Sequence, residues 1–338
     1  MVLKNEMTNP TGTFKIRPLS VGFNYGIENR KPPRTFTIAS CGNAADALAS
    51  LAARAGEKLV IFVPEDAAAS RIAPLILKGA SVFRVKRNPG ELGDPTYKLM
   101  REGVAKHGWI PVPSSGLDNC AQIEGGKSIS FEAIEQMNFK VPDHVVVQVG
   151  GGGLLNGVIK GFIEFKELGL INRLPKIHAV QGEGCAPLVA AWERFSGKKP
   201  KNLKAARELL SMDATLMHAW EGPHGIAEGI LDDVTYDYQY CIEGLFRTGG
   251  TAITVTDDEI VEAQGMISKT TGLFPCPTAS VGVAGAKKLR NLGVIKGNET
   301  TLAILTGSGY KQPASIESFA NRATVVGDFR EVEKKLSA

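Results

Sequence analysis

The chain is 338 residues long, enough for about two domains at the usual size of roughly 100–200 residues each. Glycine is in excess, with 38 residues against 18 prolines, yet no three-residue period appears, which excludes collagen and low-complexity disorder. The 39 basic and 35 acidic residues give a net charge of +4, and the basic residues are dispersed, which argues against a nucleic-acid partner while leaving small acidic ligands open.

Short apolar runs rich in β-branched residues predict buried parallel strands at 35–39, 58–63, 81–85, 144–149, 177–181 and 301–305. Helical patterns lie between them. Residues 44–55 close at Gly56, 70–78 at Gly79 and 154–168 at Gly169, while 257–269 opens with an acidic first turn. Alternating strands and helices predict an α/β fold with sheets covered on both faces. The first two strand-helix units and the strand 81–85 form one layer, and a second sheet starts at residue 144. Residues 86–96 carry Pro89, Gly90, Gly93 and Pro95, a loop signature, and 198–204 reads as a basic solvated loop.

Five cysteines, Cys41, Cys120, Cys185, Cys241 and Cys276, are widely spaced and never form a Cys-x-x-Cys pair, which fits reduced thiols in the cytoplasm. The N-terminus has no apolar run resembling a signal peptide, and no stretch approaches the roughly 20 apolar residues that cross a bilayer. The five histidines lack ligand spacing, so no metal site is expected.

Four segments carry chemistry. In Val145-Val146-Val147-Gln148-Val149-Gly150-Gly151-Gly152-Gly153-Leu154 a strand runs through four glycines into a helix. Converging backbone N–H groups and the positive end of the helix make this turn a phosphate cradle. It lacks the Gly-Lys-Ser/Thr ending of a Walker loop and the spaced glycines of a dinucleotide fingerprint. In Asn9-Pro10-Thr11-Gly12-Thr13-Phe14-Lys15-Ile16-Arg17 a turn presents Lys15 at the start of a helical segment, where the macrodipole favours loss of its proton. A neutral lysine can form a Schiff base. Ala39-Ser40-Cys41-Gly42-Asn43-Ala44 offers N–H groups, a hydroxyl and an amide to a carboxylate or a ring hydroxyl. Leu305-Thr306-Gly307-Ser308-Gly309 places two hydroxyls at a strand end.

In order and composition these segments resemble the pyridoxal-phosphate enzymes of the tryptophan-synthase β-subunit superfamily (fold type II), and most closely threonine synthase. The likeness runs from about Leu3 to Lys311 and includes Ile123-Glu124-Gly125-Gly126-Lys127 and Gly249-Gly250-Thr251-Ala252. It implies two three-layer αβα domains with mostly parallel sheets and pyridoxal 5'-phosphate in the cleft between them. A small domain at 34–117 would be inserted into a large cofactor-binding domain at 1–33 and 118–330, followed by a tail at 331–338. Fourteen residues precede Lys15, fewer than in relatives, which leaves the large domain short of the family's full edge. The resemblance also implies a homodimer.

By the same resemblance, Lys15 is the Schiff-base lysine that moves the α-proton, and Asn43 bonds the cofactor's phenolic oxygen. Ser40, Cys41, Gly42 and Asn43 receive the substrate carboxylate. Gly150, Gly151, Gly152 and Gly153 hold the phosphate, and Thr306, or else Ser308, faces the pyridine nitrogen. A neutral hydroxyl there makes the ring a weaker electron sink than a carboxylate would, which favours elimination and replacement over transamination.

Several positions depart from threonine synthases. Ile16 stands where they carry Asp, Gly151 where Asn is common, Gln122 where Arg is expected and Ala44 where Thr is frequent, and Cys276 replaces the Glu of a Glu-Pro pair. In that family, the residues at positions 151, 122 and 44 help to bind phosphohomoserine, and an Arg-to-Gln exchange removes a bidentate contact. The first functional reading is therefore a threonine-synthase-like lyase, eliminating phosphate or a similar group from an amino-acid substrate and adding water or another nucleophile. The second is a serine/threonine dehydratase giving a 2-oxo acid and ammonia. The third is a non-catalytic relative.

Overall fold

Strand alternation in two separate regions of the chain produces two sheets, each with apolar side chains on both faces. The computed structural model describes residues 1–88, 94–113, 116, 119–312, 320 and 323–337. In chain order, the elements of the first half are β1 (Val2–Asn5), α1 (Ile16–Asn29), β2 (Thr35–Ala39), α2 (Asn43–Ala55), β3 (Lys58–Pro64), α3 (Ala69–Leu77), β4 (Ser81–Val85), α4 (Pro95–His107), β5 (Ile110–Pro111) and α5 (Ala121–Gln136). The second half continues with β6 (His144–Gln148), α6 (Gly153–Glu167), β7 (Lys176–Gly182), α7 (Pro187–Gly197), α8 (Leu203–Met212), α9 (Tyr238–Thr248), β8 (Ala252–Val255), α10 (Asp257–Thr271), α11 (Pro277–Asn291) and β9 (Thr301–Leu305). A last helix, Phe329–Leu336, buries none of its residues.

The larger sheet has the order β1-β9-β6-β7-β8 and the smaller β4-β3-β2-β5. Every strand pair in both is parallel. In the larger sheet the period of two divides the core into two layers. Val145 and Val147 of β6 and Leu302 and Ile304 of β9 pack with α6, α7 and α9, while Val146, Ala303 and Leu305 face α10 and α11 on the other side. In the smaller sheet Leu59, Ile61 and Val63 of β3 meet α1, α2 and α3, and Phe62 meets Met100 of α4. This is the expected α/β fold with parallel sheets clothed on both faces.

Local signals set the helix ends. Gly56 closes α2 with φ +68°, its N–H returning to Ala52 and Ala53. Thr256 and Glu259 form a reciprocal capping box at α10. The loop expected at 86–96 is only partly one: Asp94 accepts the Thr96 N–H at 2.8 Å and Pro95 opens α4, while residues 89–93 lie outside those described, as do 117 and 118 at the expected domain boundary. Likewise 198–204 ends inside α8, because Asn202 caps that helix through the Ala205 N–H.

Strands β1, β5 and β8 go beyond the sequence expectation. They are two to four residues long, too short for their pattern to stand out. Helix α1 links the two cores: Leu19 and Phe23 join the smaller sheet's core, while its N-terminal turn lies against α5. That approach requires Gly125, where any Cβ would overlap the Arg17 carbonyl and lie 2.8 Å from Pro18 Cα.

Candidate active site

Lys15 occupies the first residue before α1, and main-chain bonds tie this turn to the end of β9. The Phe14 N–H donates to the Thr306 carbonyl at 2.9 Å, and Thr13 bridges to Gly307. A buried ion cluster fixes the turn from behind. The fully buried Glu6 carboxylate accepts from Arg17 Nε at 2.5 Å and from Asn9 Nδ2 at 2.7 Å, and Arg17 also pairs with Glu132 at 2.6 Å. The Lys15 side chain is thereby aimed into a cleft of about 70 Å³ at the carboxyl ends of β6 and β9. That is where parallel α/β sheets hold ligands. Burial pulls the Lys15 ammonium below the ordinary lysine range, and the Asp232 carboxylate opposes that shift.

The glycine turn forms one wall. Its carbonyls are engaged on the far side, where Gly150 O accepts from Thr235 Oγ1 at 2.9 Å, Gly151 O from the Asp237 N–H at 3.0 Å and Gly152 O from the Asn156 N–H at 2.9 Å. No main-chain hydrogen bond takes up the N–H groups of Gly150, Gly151 or Gly152 among the described residues, and these glycines line the cleft. Gly152 has φ +99°, and an ideal Cβ on Gly151 would lie 2.9 Å from Tyr236 Cδ2. The Asp232 side chain packs against this turn: any Cβ on Gly150 would overlap its Oδ2, and the same oxygen lies 3.8 Å from where a Cβ on Gly151 would stand. With a glycine turn at the start of α6 and a buried amine lining the same cleft, the residues fit a pyridoxal phosphate.

Opposite, Thr306 is 5% exposed, and its Oγ1 accepts from Gln148 Nε2 at 2.8 Å. The same nitrogen donates to the Ile304 carbonyl at 3.0 Å, which identifies it as the amide nitrogen, since a carbonyl can only accept. The Thr306 hydroxyl hydrogen is then free to point into the cleft.

Of the residues expected from sequence, Lys15, Gly150, Gly151, Gly152, Gly153, Gln122 and Thr306 line this cleft. Ser40, Cys41, Gly42 and Asn43 sit on the other sheet, between β2 and α2, and do not line it. Ser40 Oγ accepts the Gly42 N–H at 3.2 Å, and the Asn43 amide nitrogen would stand 3.9 Å from a Cβ on Gly307. Ser308 is not among the residues lining the cleft, and its hydroxyl accepts the Tyr310 N–H at 3.3 Å. Sequence reasoning misses Gln148 and Asp232. A lone glutamine directly after Val145-Val146-Val147 is a usable signal, because a buried amide needs partners. Nothing local marks Asp232.

Comparison with known proteins agrees with this geometry. The chain is 34% identical to the threonine synthase of Methanocaldococcus jannaschii over 93% of its own length and 71% of that protein's. It is 32% identical to the threonine synthase of Methanosarcina acetivorans over 96% and 74%. Among solved structures, threonine deaminase isoform 2 from Solanum lycopersicum superposes with a TM-score of 0.73 at 20% identity, covering 95% of this chain and 78% of that one. The L-serine ammonia-lyase of Rhizomucor miehei does so with 0.73 at 19%, covering 95% and 92%. At these identities the two structures establish a shared fold. Residues 1–307 match the family described as pyridoxal-phosphate dependent enzyme, and the chain belongs to that family.

Proposed function

We propose that this protein is a threonine-synthase-like lyase in which Lys15 is the Schiff-base lysine. The observation that carries the reading is the convergence of a buried amine, a glycine turn and the Thr306 hydroxyl on one cleft, in a chain at least 32% identical to two threonine synthases. Bound pyridoxal phosphate supplies an aldehyde for the substrate's amino group and an electron-withdrawing ring that weakens the bonds at Cα. The N–H groups of Gly150, Gly151, Gly152 and Gly153 hold its phosphate. Thr306, already accepting from Gln148, donates to the ring nitrogen and keeps it unprotonated.

Lys15 Nζ, its pKa lowered by burial, takes the proton from Cα and returns one when the nucleophile has added. Residues 40–43, at the carboxyl end of β2, receive the substrate carboxylate, with Asn43 reaching toward Gly307. We further propose a large domain built from 1–33 and 118–330 and an inserted domain at 34–117. The five cysteines are all free, which supports a cytoplasmic setting. Incubation with phosphohomoserine releases phosphate and forms threonine on this reading; no release at millimolar substrate overturns it.

One observation favours a second reading. Lys15 is the one cation among the described residues lining the cleft, and Gln122 lines it where an arginine would grip a phosphate. A dehydratase needs no such grip. Formation of 2-oxo acid from serine or threonine, without phosphate release from phosphohomoserine, selects it.

A further inference from the structure

Asp232 occupies the part of the cleft that the cofactor phosphate needs. It lines the same cleft as Lys15 and the four glycines. Its Oδ2 closes on Gly150 so tightly that any Cβ there would overlap it, and the same oxygen lies 3.8 Å from where a Cβ on Gly151 would stand. Its main chain is held separately, the Cys185 thiol donating to the Asp232 carbonyl at 3.2 Å. The backbone is therefore anchored while the carboxylate is attached through two rotatable bonds. A phosphate ester held by this turn would stand at contact distance from the carboxylate, and two anions repel there.

We propose that Asp232 is an internal competitor for the phosphate cradle, so that cofactor binding requires its carboxylate to move off the glycine turn at Gly150 and Gly151; the proposal rests on the assignment of the glycine turn to the cofactor phosphate. Asp232 thereby sets the protein's affinity for phosphate-bearing ligands. While seated, the carboxylate covers the turn at Gly150. The cost is weaker binding of any phosphate that must displace it.

The test uses the full-length protein, stripped of cofactor and compared with Asp232→Asn, Asp232→Ala and, as a control for charge alone, the exposed neighbour Asp233→Asn. Pyridoxal phosphate is titrated by absorbance and inorganic phosphate by calorimetry. Both Asp232 variants are expected to bind each probe at least about tenfold more tightly, a difference of roughly 1.4 kcal/mol, with Asp233→Asn within about threefold of the natural protein. Unchanged or weaker binding of inorganic phosphate in both Asp232 variants overturns the proposal. So does tightening confined to pyridoxal phosphate, which would place the effect on the Lys15 amine. If no variant takes up pyridoxal phosphate covalently, the assignment of Lys15 fails, and the phosphate titration alone then decides the role of Asp232.

Discussion

Gln148 and Thr306 meet across the ends of the neighbouring strands β6 and β9, with the glutamine amide donating to the threonine Oγ1 at 2.8 Å. Both side chains are almost wholly buried, so the bond is shielded from water and fixes the direction of the hydroxyl proton. Gln148 thus makes Thr306 a donor toward the cleft. Thr306→Val keeps the shape and removes the donor. It is expected to weaken pyridoxal phosphate binding about tenfold, in line with the cost of an unpaired buried acceptor. Titration of the cofactor-free protein by absorbance measures this, and unaltered binding would show that Thr306 does not face the ring.

The glycine turn gives a second expectation. Gly152 sits at φ +99°, and a Cβ there would stand 3.0 Å from Asp237 Cβ and 3.1 Å from both Cys241 Sγ and Thr235 Cγ2. Gly152→Ala therefore combines backbone strain with overpacking, at a cost of about 2–3 kcal/mol. Denaturant unfolding should show that loss of stability, together with poor retention of cofactor on dialysis.

Arg17 supports Lys15 from behind. Arg17→Met leaves the buried Glu6 carboxylate with the neutral Asn9 amide and, as its cation, Lys4 at 3.8 Å, and should cost about 3 kcal/mol, the lower end for a broken buried pair. The hydrogen bond from Arg17 is also the main reason the Glu132 carboxyl sits at about 2, against an ordinary 4.5. Its stabilising contribution is complete above pH 4.5 and is lost as pH falls toward 2. Acid unfolding of Arg17→Met should lack much of that dependence.

At the opposite end of the larger sheet, His178 contacts His144 at 2.9 Å, and His144 contacts Glu299 at 3.1 Å. Burial, with His144 adding to it, holds the His178 pKa at about 3 against an ordinary 6.5. The folded protein therefore keeps His178 neutral while the unfolded chain takes up a proton. Stability is complete above pH 6.5 and falls from there toward pH 3, by at most about 1.4 kcal/mol per pH unit. His178→Gln should flatten stability across that range in equilibrium unfolding at graded pH.

Much of the site is legible in the sequence because its parts are local. The four glycines, the strand before them and the Lys15 turn are contiguous stretches, and their backbone demands fix their geometry. Long buried strands such as β3 and β6 are visible for the same reason. What stays hidden depends on tertiary placement. The short strands β1 and β8 exist because β9 and β7 offer edges to pair with. Asp232 reaches Gly151 only after the segment following Ile230 folds back over the turn. Ser308 looks equivalent to Thr306 in sequence, but two residues along the chain its hydroxyl caps a short helical turn instead.

The functional reading stands or falls on Lys15 carrying pyridoxal phosphate in the cleft shared with Gly151 and Thr306. Borohydride reduction of the full-length protein loaded with cofactor, followed by peptide mass mapping, is the decisive measurement. The expected result is a single pyridoxyl-phosphate adduct on Lys15, abolished in Lys15→Ala together with a loss of activity of at least about 10²–10⁴-fold. An adduct on another lysine, or none on a protein that retains activity, would refute the assignment of Lys15.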